Sequence, residues 1–236
     1  MAVLGAGALG CAMGSCLSEA GHEVWLINRR ADHVEAMNRQ GLSVRVQGVD
    51  KTVPVKAACN AQEIAAQTGT VDLIVVLVKS FHTLEAIRSA TAIVGPDTVV
   101  LSLQNGLGHE DVLAEVVGRD KVLAGKTYAG GVMLGPGQII RGTEGKDTHI
   151  GELDGRMTDR VQRIAQAFNA AGLLTHISDN IMGTMWDKLL INVATGALSS
   201  ITRLTYGALY KIAEVEATAM AAVQEAMCVA HASGVR

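Results

Sequence analysis

The sequence predicts an α/β fold in which a doubly wound, largely parallel sheet is followed by an all-helical region. Three observations lead there. Apolar runs of strand length alternate with helix-period patterns through the first half of the chain, the ordering that builds a parallel sheet with helices on both faces. One run, "DLIVVLV" (residues 72–78), is continuously apolar after its leading aspartate, as a strand covered on both faces must be. After Ser178 the strand patterns stop and long helical patterns continue to the end.

The elements follow in order. Val3–Leu4 opens the sheet, and Leu9, Ala12, Met13, Cys16, Leu17 and Ala20 then recur on one helical face before Gly21 stops the helix. Strands are expected at 24–27, 71–78 and 98–103. From Val122 to Glu152 the chain is glycine-rich, with a Gly135-Pro136-Gly137 turn, and reads as a later, partly antiparallel extension of the same sheet. A helix near 156–171 and a strand near 173–177 complete this part. Ser178 reads as a helix N-cap, so the expected boundary divides the sheet domain, 1–177, from a helical domain, 178–236.

Composition narrows the function classes. The 236 residues are 49% hydrophobic but 3% aromatic, enough for a sizeable, mainly aliphatic core. A net charge of −3 without a basic run argues against a nucleic-acid partner. Cys11, Cys16, Cys59 and Cys228 show no C-x-x-C spacing and read as reduced, buried thiols. No apolar run reaches membrane-span length and no secretory leader is evident, so the expectation is a soluble, cytoplasmic protein with no membrane partner. No G-x-S-x-G, H-E-x-x-H or paired-carboxylate motif is present, which leaves hydrolase and metal chemistry without a basis.

The chemistry-bearing motif is "VLGAGALG" (residues 3–10). Gly5, Gly7 and Gly10 have the spacing that permits a tight turn, close approach of backbone to a pyrophosphate, and close helix-on-strand packing. The helix opening at Ala8 and Leu9 then offers N–H groups and a positive dipole end to phosphates. The second strand ends in Ile27-Asn28-Arg29-Arg30, where an acid for a ribose 2′-hydroxyl would stand in an NAD site. Guanidinium groups there suit a 2′-phosphate, hence NADP (NADPH). Asp32 with Glu35 reads as a helix-start pair. Ligands of such sheets bind beyond the strand carboxyl ends, which singles out Lys79 for the cofactor and Asn105 for substrate or nicotinamide. His109, beside Asn105, reads as a surface residue at a helix start.

The segment "MWDKLLINVATGALSS" (185–200) carries Thr184, Lys188, Asn192, Thr195 and Ser199 on one helical face, against Ile181, Met185, Leu189 and Val193 on the other. A stripe of short polar side chains with one lysine is unlike a solvated face and predicts a wet but enclosed cleft wall. There Lys188 can protonate an oxygen that becomes an alkoxide, with partial burial drawing its pKa toward neutral.

Together "GAGALG", Arg29, "VKSFHT", "LQNGLG", "GPG…HIGE" and "WDKLLIN" resemble the ketopantoate reductase (2-dehydropantoate 2-reductase) family along essentially the whole chain. The resemblance implies a Rossmann-type NADP-binding domain, an all-helical domain, a site between them, and NADPH-dependent reduction of a 2-oxo acid to a 2-hydroxy acid on the route to pantothenate. It makes Lys188 the catalytic lysine, Asn192 and Asn105 substrate-side asparagines, and Arg29 and Lys79 cofactor-side residues. The chain departs from the family at Gly196-Ala197, where many members have a second asparagine before a proline. It also ends at Arg236, whereas the family continues with helices that supply a serine and a glutamate to the substrate. A helical segment this short leaves an apolar face, which predicts a missing remainder or a partner chain such as a second copy in a homodimer. Two alternatives stay open: a related reductase of another 2-oxo acid, an opine or a polyol phosphate, and a non-catalytic NADP-binding module.

Overall fold

The computed structural model describes residues 1–235. The chain forms two compact units, Met1–Ile181 and Met182–Arg236. In the first, β1 (Ala2–Leu4), α1 (Ala8–Glu19), β2 (Trp25–Ile27), α2 (Ala31–Gln40), β3 (Leu42–Val46), β4 (Val49–Val53), β5 (Lys56–Ala58), α3 (Ala61–Thr68), β6 (Val71–Val76), α4 (Thr83–Ser89), β7 (Val94–Ser102), α5 (His109–Val117), β8 (Val122–Thr127), β9 (Gly130–Gly135), β10 (Gln138–Gly142), β11 (Thr148–Glu152), α6 (Asp159–Ala170) and β12 (Thr175–Ile177) follow one another. The main sheet has eight strands in the order β12-β11-β8-β7-β6-β1-β2-β5, all parallel except the β8–β11 pair. Strand order reverses between β1 and β6, where crevices for ligands open in doubly wound sheets.

Alternation along each central strand fills both faces. Val3, Leu26, Leu73, Val75 and Leu101 pack on one side with Met13 and Leu17 of α1 and Phe168 of α6. Leu4, Ile27, Ile74, Val76 and Val100 pack on the other with Ile64, Ile87 and Leu113 of α3, α4 and α5. Each such side chain, fully buried, contributes roughly 1.5–3 kcal/mol. At the far edge the buried Glu152 accepts both arms of Arg160, at 2.7 and 2.6 Å, which ties β11 to α6.

The 122–152 segment does not extend one sheet as a block. β8 and β11 do join the main sheet, but β9 and β10 leave it for a second, four-stranded sheet ordered β4-β3-β10-β9. Its other half is a hairpin that the charged residues of 42–53 obscure in the sequence. Gln47 (φ 50°) and Gly48 (φ 84°) make the two-residue turn whose twist suits a hairpin, and Arg45 binds its cross-strand partner Asp50 at 2.7 and 2.8 Å. Leu42, Val44 and Ile139 anchor this sheet in the α1 side of the core.

The second unit contains α7 (Ile181–Thr202), α8 (Tyr206–Leu209) and α9 (Ala213–Ala232). The α7 backbone carbonyl of Ala194 accepts from the Tyr210 hydroxyl at 3.0 Å, and the Ser199 hydroxyl donates to the Leu204 carbonyl at 2.7 Å. Ile201, Tyr206, Met220 and Val229 are exposed. Among the described residues no helix is long and apolar enough to cross a membrane.

Gly196 sits inside α7, exposed, where an added Cβ would meet nothing within 4 Å. A mid-helix glycine costs about 1 kcal/mol relative to alanine. Gly196→Ala should therefore raise Tm by about 2–4 °C in a circular-dichroism melt. An unchanged or lowered Tm would show that the glycine serves something other than the helix.

Candidate functional site

The carboxyl ends of β1, β2, β5 and β6 surround a cavity of about 440 Å³ whose lining includes Gly5, Gly7, Asn28, Arg29, Asn60 and Lys79. Its floor is the glycine-rich loop. The Gly5 and Ala6 N–H groups both donate to the Ile27 carbonyl, at 3.2 and 2.9 Å, which fastens the loop to β2. Gly5 has φ +104°, and a Cβ there would lie 2.6 Å from the Val78 nitrogen; one at Gly10 would collide with the Gly5 carbonyl. Gly10 is required by α1 lying so close to the loop, and Gly5 by its positive φ and by the chain leaving β6 at Leu77 and Val78. Gly7 differs: its Cβ position is open.

Gly7 is also the N-cap of α1, with no side-chain cap and no acid in the first turn. The helix start at Ala8 and Leu9 thus keeps a bare positive end. A cradle open at Gly7, backed by an uncapped helix, fits the pyrophosphate of a dinucleotide.

The cavity wall explains what replaces the missing acid. Asn28 does not reach outward. Its Nδ2 donates to the Ala6 carbonyl at 2.7 Å and its Oδ1 accepts from the Arg30 N–H at 3.0 Å. Arg30 is held by Asp32 at 3.2 and 2.6 Å, so of the two adjacent guanidiniums only Arg29 lines the cavity. Arg29 faces Glu85 at 3.4 Å and His82 at 3.1 Å. Both members of the Arg29–Glu85 pair are 68% exposed, and a contact so solvated is weak enough for a phosphate to displace it. Cys59 is half-buried in the same wall and Cys228 is exposed, so burial holds only for Cys11 and Cys16.

Beside the cavity, the loops after β6 and β7 are laced together. Gln104 donates from Nε2 to the Val78 carbonyl and to the Thr83 hydroxyl, both at 2.9 Å. The Ser80 hydroxyl donates to the Asn105 carbonyl at 3.5 Å. This brings the Lys79 and Asn105 segments together. His109 is 7% exposed, not a surface residue, and its Nε2 lies 2.9 Å from the Asn105 carbonyl. Its neighbour Glu110 is 3% exposed with neither carboxylate oxygen hydrogen-bonded; the nearby Ser102 hydroxyl turns to Gln104 instead, at 3.4 Å. Burial pushes the Glu110 carboxyl above its ordinary range.

Lys188 and Asn192 lie on α7 of the second unit, one turn apart and hence on one face, about 6 Å along the axis. The stripe is less uniform than the spacing suggests. Asn192 is exposed, whereas Thr195 is 6% exposed and spends its hydroxyl on the Ile191 carbonyl at 2.6 Å. Among the described residues no cluster of three or more His, Cys, Asp or Glu is arranged for a metal ion. Sequence reasoning placed Gln104 at a strand end beside the crevice without its bridging role, and it missed His33 and the inward turn of Asn28, because each looks like ordinary surface polarity until its partner carbonyl is known.

Fold and cavity together define an α/β dinucleotide-binding protein. Family models match both parts: "Ketopantoate reductase PanE/ApbA" over residues 1–155 and its C-terminal counterpart over 180–236. The 2-dehydropantoate 2-reductase of Pyrococcus abyssi is 35% identical over 99% of this chain and 74% of its own length. The crystal structure of a PanE/ApbA family ketopantoate reductase from Ralstonia eutropha is 36% identical with a TM-score of 0.88, covering 100% of this chain and 75% of that one. A D-mandelate dehydrogenase solved with NADH and anilino(oxo)acetate is 26% identical with a TM-score of 0.92, covering 100% of this chain and 74% of that one.

The chain belongs to the ketopantoate reductase family and spans about three quarters of the length of these relatives. It is an oxidoreductase of the type acting on CH–OH groups, with a nicotinamide dinucleotide as its cofactor class.

Glu110 gives this region a pH signature. An acid whose folded pKa is raised favours the fold most below its unfolded value near 4.5, and loses that contribution as pH rises through the folded value. Glu110→Gln should therefore melt at higher temperature than the parent at pH 8, with the gain shrinking as pH falls toward 4.5. A Tm difference independent of pH would contradict the buried, unpaired carboxyl.

Proposed function

We propose that the protein reduces a 2-oxo acid to the 2-hydroxy acid with NADPH, and that 2-dehydropantoate is the substrate. The observation that carries the cofactor assignment is Arg29 on the cavity wall with Lys79, where the strand end offers Asn28 in place of an acid. An exposed guanidinium whose charged partner is the solvated Glu85 carboxylate can exchange it for the 2′-phosphate, which it meets with two parallel N–H groups. Lys79 adds a second positive charge to the same wall.

Residues 1–177 act as the dinucleotide-binding domain and 178–236 supply the substrate side. When bound, the reduced nicotinamide supplies a hydride to the keto carbon. Lys188 supplies the proton from Nζ to the oxygen that becomes alkoxide, a role worth about 10²–10⁴ in rate for a well-placed general acid. Asn192, one turn on, donates an amide hydrogen to the substrate and orients it against Lys188. Asn105 holds the nicotinamide or substrate from the loop after β7. Its backbone is braced by His109 and Ser80, so its amide is presented from a fixed loop.

A second substrate reading is favoured by one residue. Gly196 leaves open the side-chain position four residues past Asn192, and the D-mandelate dehydrogenase of the same fold is bound to anilino(oxo)acetate, a bulkier oxo acid. NADPH oxidation followed at 340 nm with 2-dehydropantoate, phenylglyoxylate and pyruvate distinguishes these readings. Preferential turnover of 2-dehydropantoate is the expected result, and absence of turnover with every oxo acid would overturn the enzyme reading.

Two substitutions separate the roles. Lys188→Ala should lower kcat by about 10²-fold or more while NADPH binding changes less than about threefold. Arg29→Ala should raise KM for NADPH about tenfold or more and leave KM for NADH within about threefold. Equal effects on the two nucleotides would remove Arg29 from 2′-phosphate recognition.

A further inference from the structure

The glycine-rich loop is held from behind by an imidazole that no motif marks. His33, in the first turn of α2, is 1% exposed. The Gly137 N–H lies 2.8 Å from Nδ1, and a peptide N–H can only donate, so Nδ1 is the unprotonated nitrogen. The hydrogen is therefore on Nε2, which lies 3.1 Å from the Ala6 carbonyl oxygen, a group that can only accept. The neutral ring with hydrogen on Nε2 is the one form that satisfies both partners. A protonated ring would set two N–H groups against each other at Nδ1.

The surroundings keep that form. Burial pushes the imidazole pKa down, outweighing the opposing hydrogen bond to the Ala6 carbonyl; Arg30 acts with burial and Asp32 against it. On the α1 side the facing group is the Cys11 thiol, 3.5 Å from Nε2 and pushed up to about 12 by its own burial, hence uncharged. From the second sheet the facing group is the neutral Gly137 peptide.

Ala6 lies between Gly5 and Gly7, so the orientation of its carbonyl fixes the peptide planes of the cradle. That oxygen also receives Asn28 Nδ2 at 2.7 Å and Cys11 Sγ at 3.4 Å. Gly137 belongs to the turn between β9 and β10, strands that pack along α1; a Cβ at Gly131 would lie 2.8 Å from the Ala8 carbonyl. His33 is thus the bond by which the second sheet grips the loop.

We propose that His33 is a positioning residue for dinucleotide binding: it clamps the Ala6 carbonyl to the β9–β10 turn, and so keeps the Gly7 edge and the α1 N-terminus open to the pyrophosphate. The proposal rests on the glycine-rich loop being the pyrophosphate cradle. Binding is read directly, without any oxo acid, by titrating NADPH and NADH and following nicotinamide fluorescence.

His33→Leu should weaken both nucleotides about tenfold, because the contact lies behind the pyrophosphate that they share. His33→Gln places an amide nitrogen near the position of Nε2 and should restore binding to within about threefold. His33→Asn reaches only the Nδ1 position and should remain weak. A merely space-filling role predicts that Gln and Asn behave alike, and that outcome overturns the clamp. So does wild-type affinity in a cooperatively melting His33→Leu protein. If His33→Leu fails to fold, the Gln and Asn pair still decides. Gly7→Val tests the premise separately. Weakened binding in Gly7→Val with intact binding in the His33 series removes His33 alone, whereas intact binding in Gly7→Val removes the cradle and the clamp together.

Discussion

The distance of closest approach between α1 and the strand before it governs the cofactor end of the molecule. At Gly10 the helix touches the Gly5 carbonyl so closely that no side chain fits. This contact sets the height of the helix N-terminus above the sheet and leaves Gly7, half-buried with its Cβ position open, as the rim. A methyl group at Gly10 would collide with the Gly5 carbonyl, so the helix could no longer approach the loop that the Ile27 carbonyl holds. The large aliphatic core on both sheet faces makes such a shift costly, since close-packed interiors transmit displacement instead of absorbing it.

Around that fixed point, polar side chains are used to orient backbone more than to face solvent. Asn28, His33 and Cys11 converge on one carbonyl, Gln104 bridges the loops after β6 and β7, and His109 braces Asn105. Asn28, Cys11 and the two histidines are short or ring-shaped and lose little freedom on being held, whereas the longer Gln104 offsets its greater ordering cost with two hydrogen bonds. The groups expected to meet ligand, Arg29 and Lys79, are the long cations left at the cavity wall. Hydrogen-bonded polar chains inside and exposed charged chains at the rim give a loop of definite shape with its positive charge at the cavity wall.

The main sheet was legible because its central strands are short, apolar and separated by helix-period stretches, as in "DLIVVLV". The second sheet was not. Its hairpin alternates apolar residues with Arg45, Asp50 and Lys51, and its remaining strands come from about ninety residues further along, so no local pattern announces their pairing. The glycine motif, Arg29, Lys79 and Asn105 could be found because spacing and strand-end position define them. His33, His109 and Glu110 resisted because in sequence they resemble the polar first turn of an amphipathic helix. What distinguishes them is burial, and burial at a helix start depends on what packs there from elsewhere in the chain.

Asn28 illustrates the consequence for anyone redesigning coenzyme preference. The strand end it occupies is where an acid would be introduced to favour NADH. Here an aspartate could still accept the Arg30 N–H, but it would replace the donor that holds the Ala6 carbonyl with a negative oxygen. The charge would be aimed inward at the loop, and the nucleotide would lose its cradle in either phosphorylation state. On the proposed role of Arg29, coenzyme preference is adjusted from the α4 side, where Glu85 and His82 face it, while the Asn28 side chain is engaged with backbone.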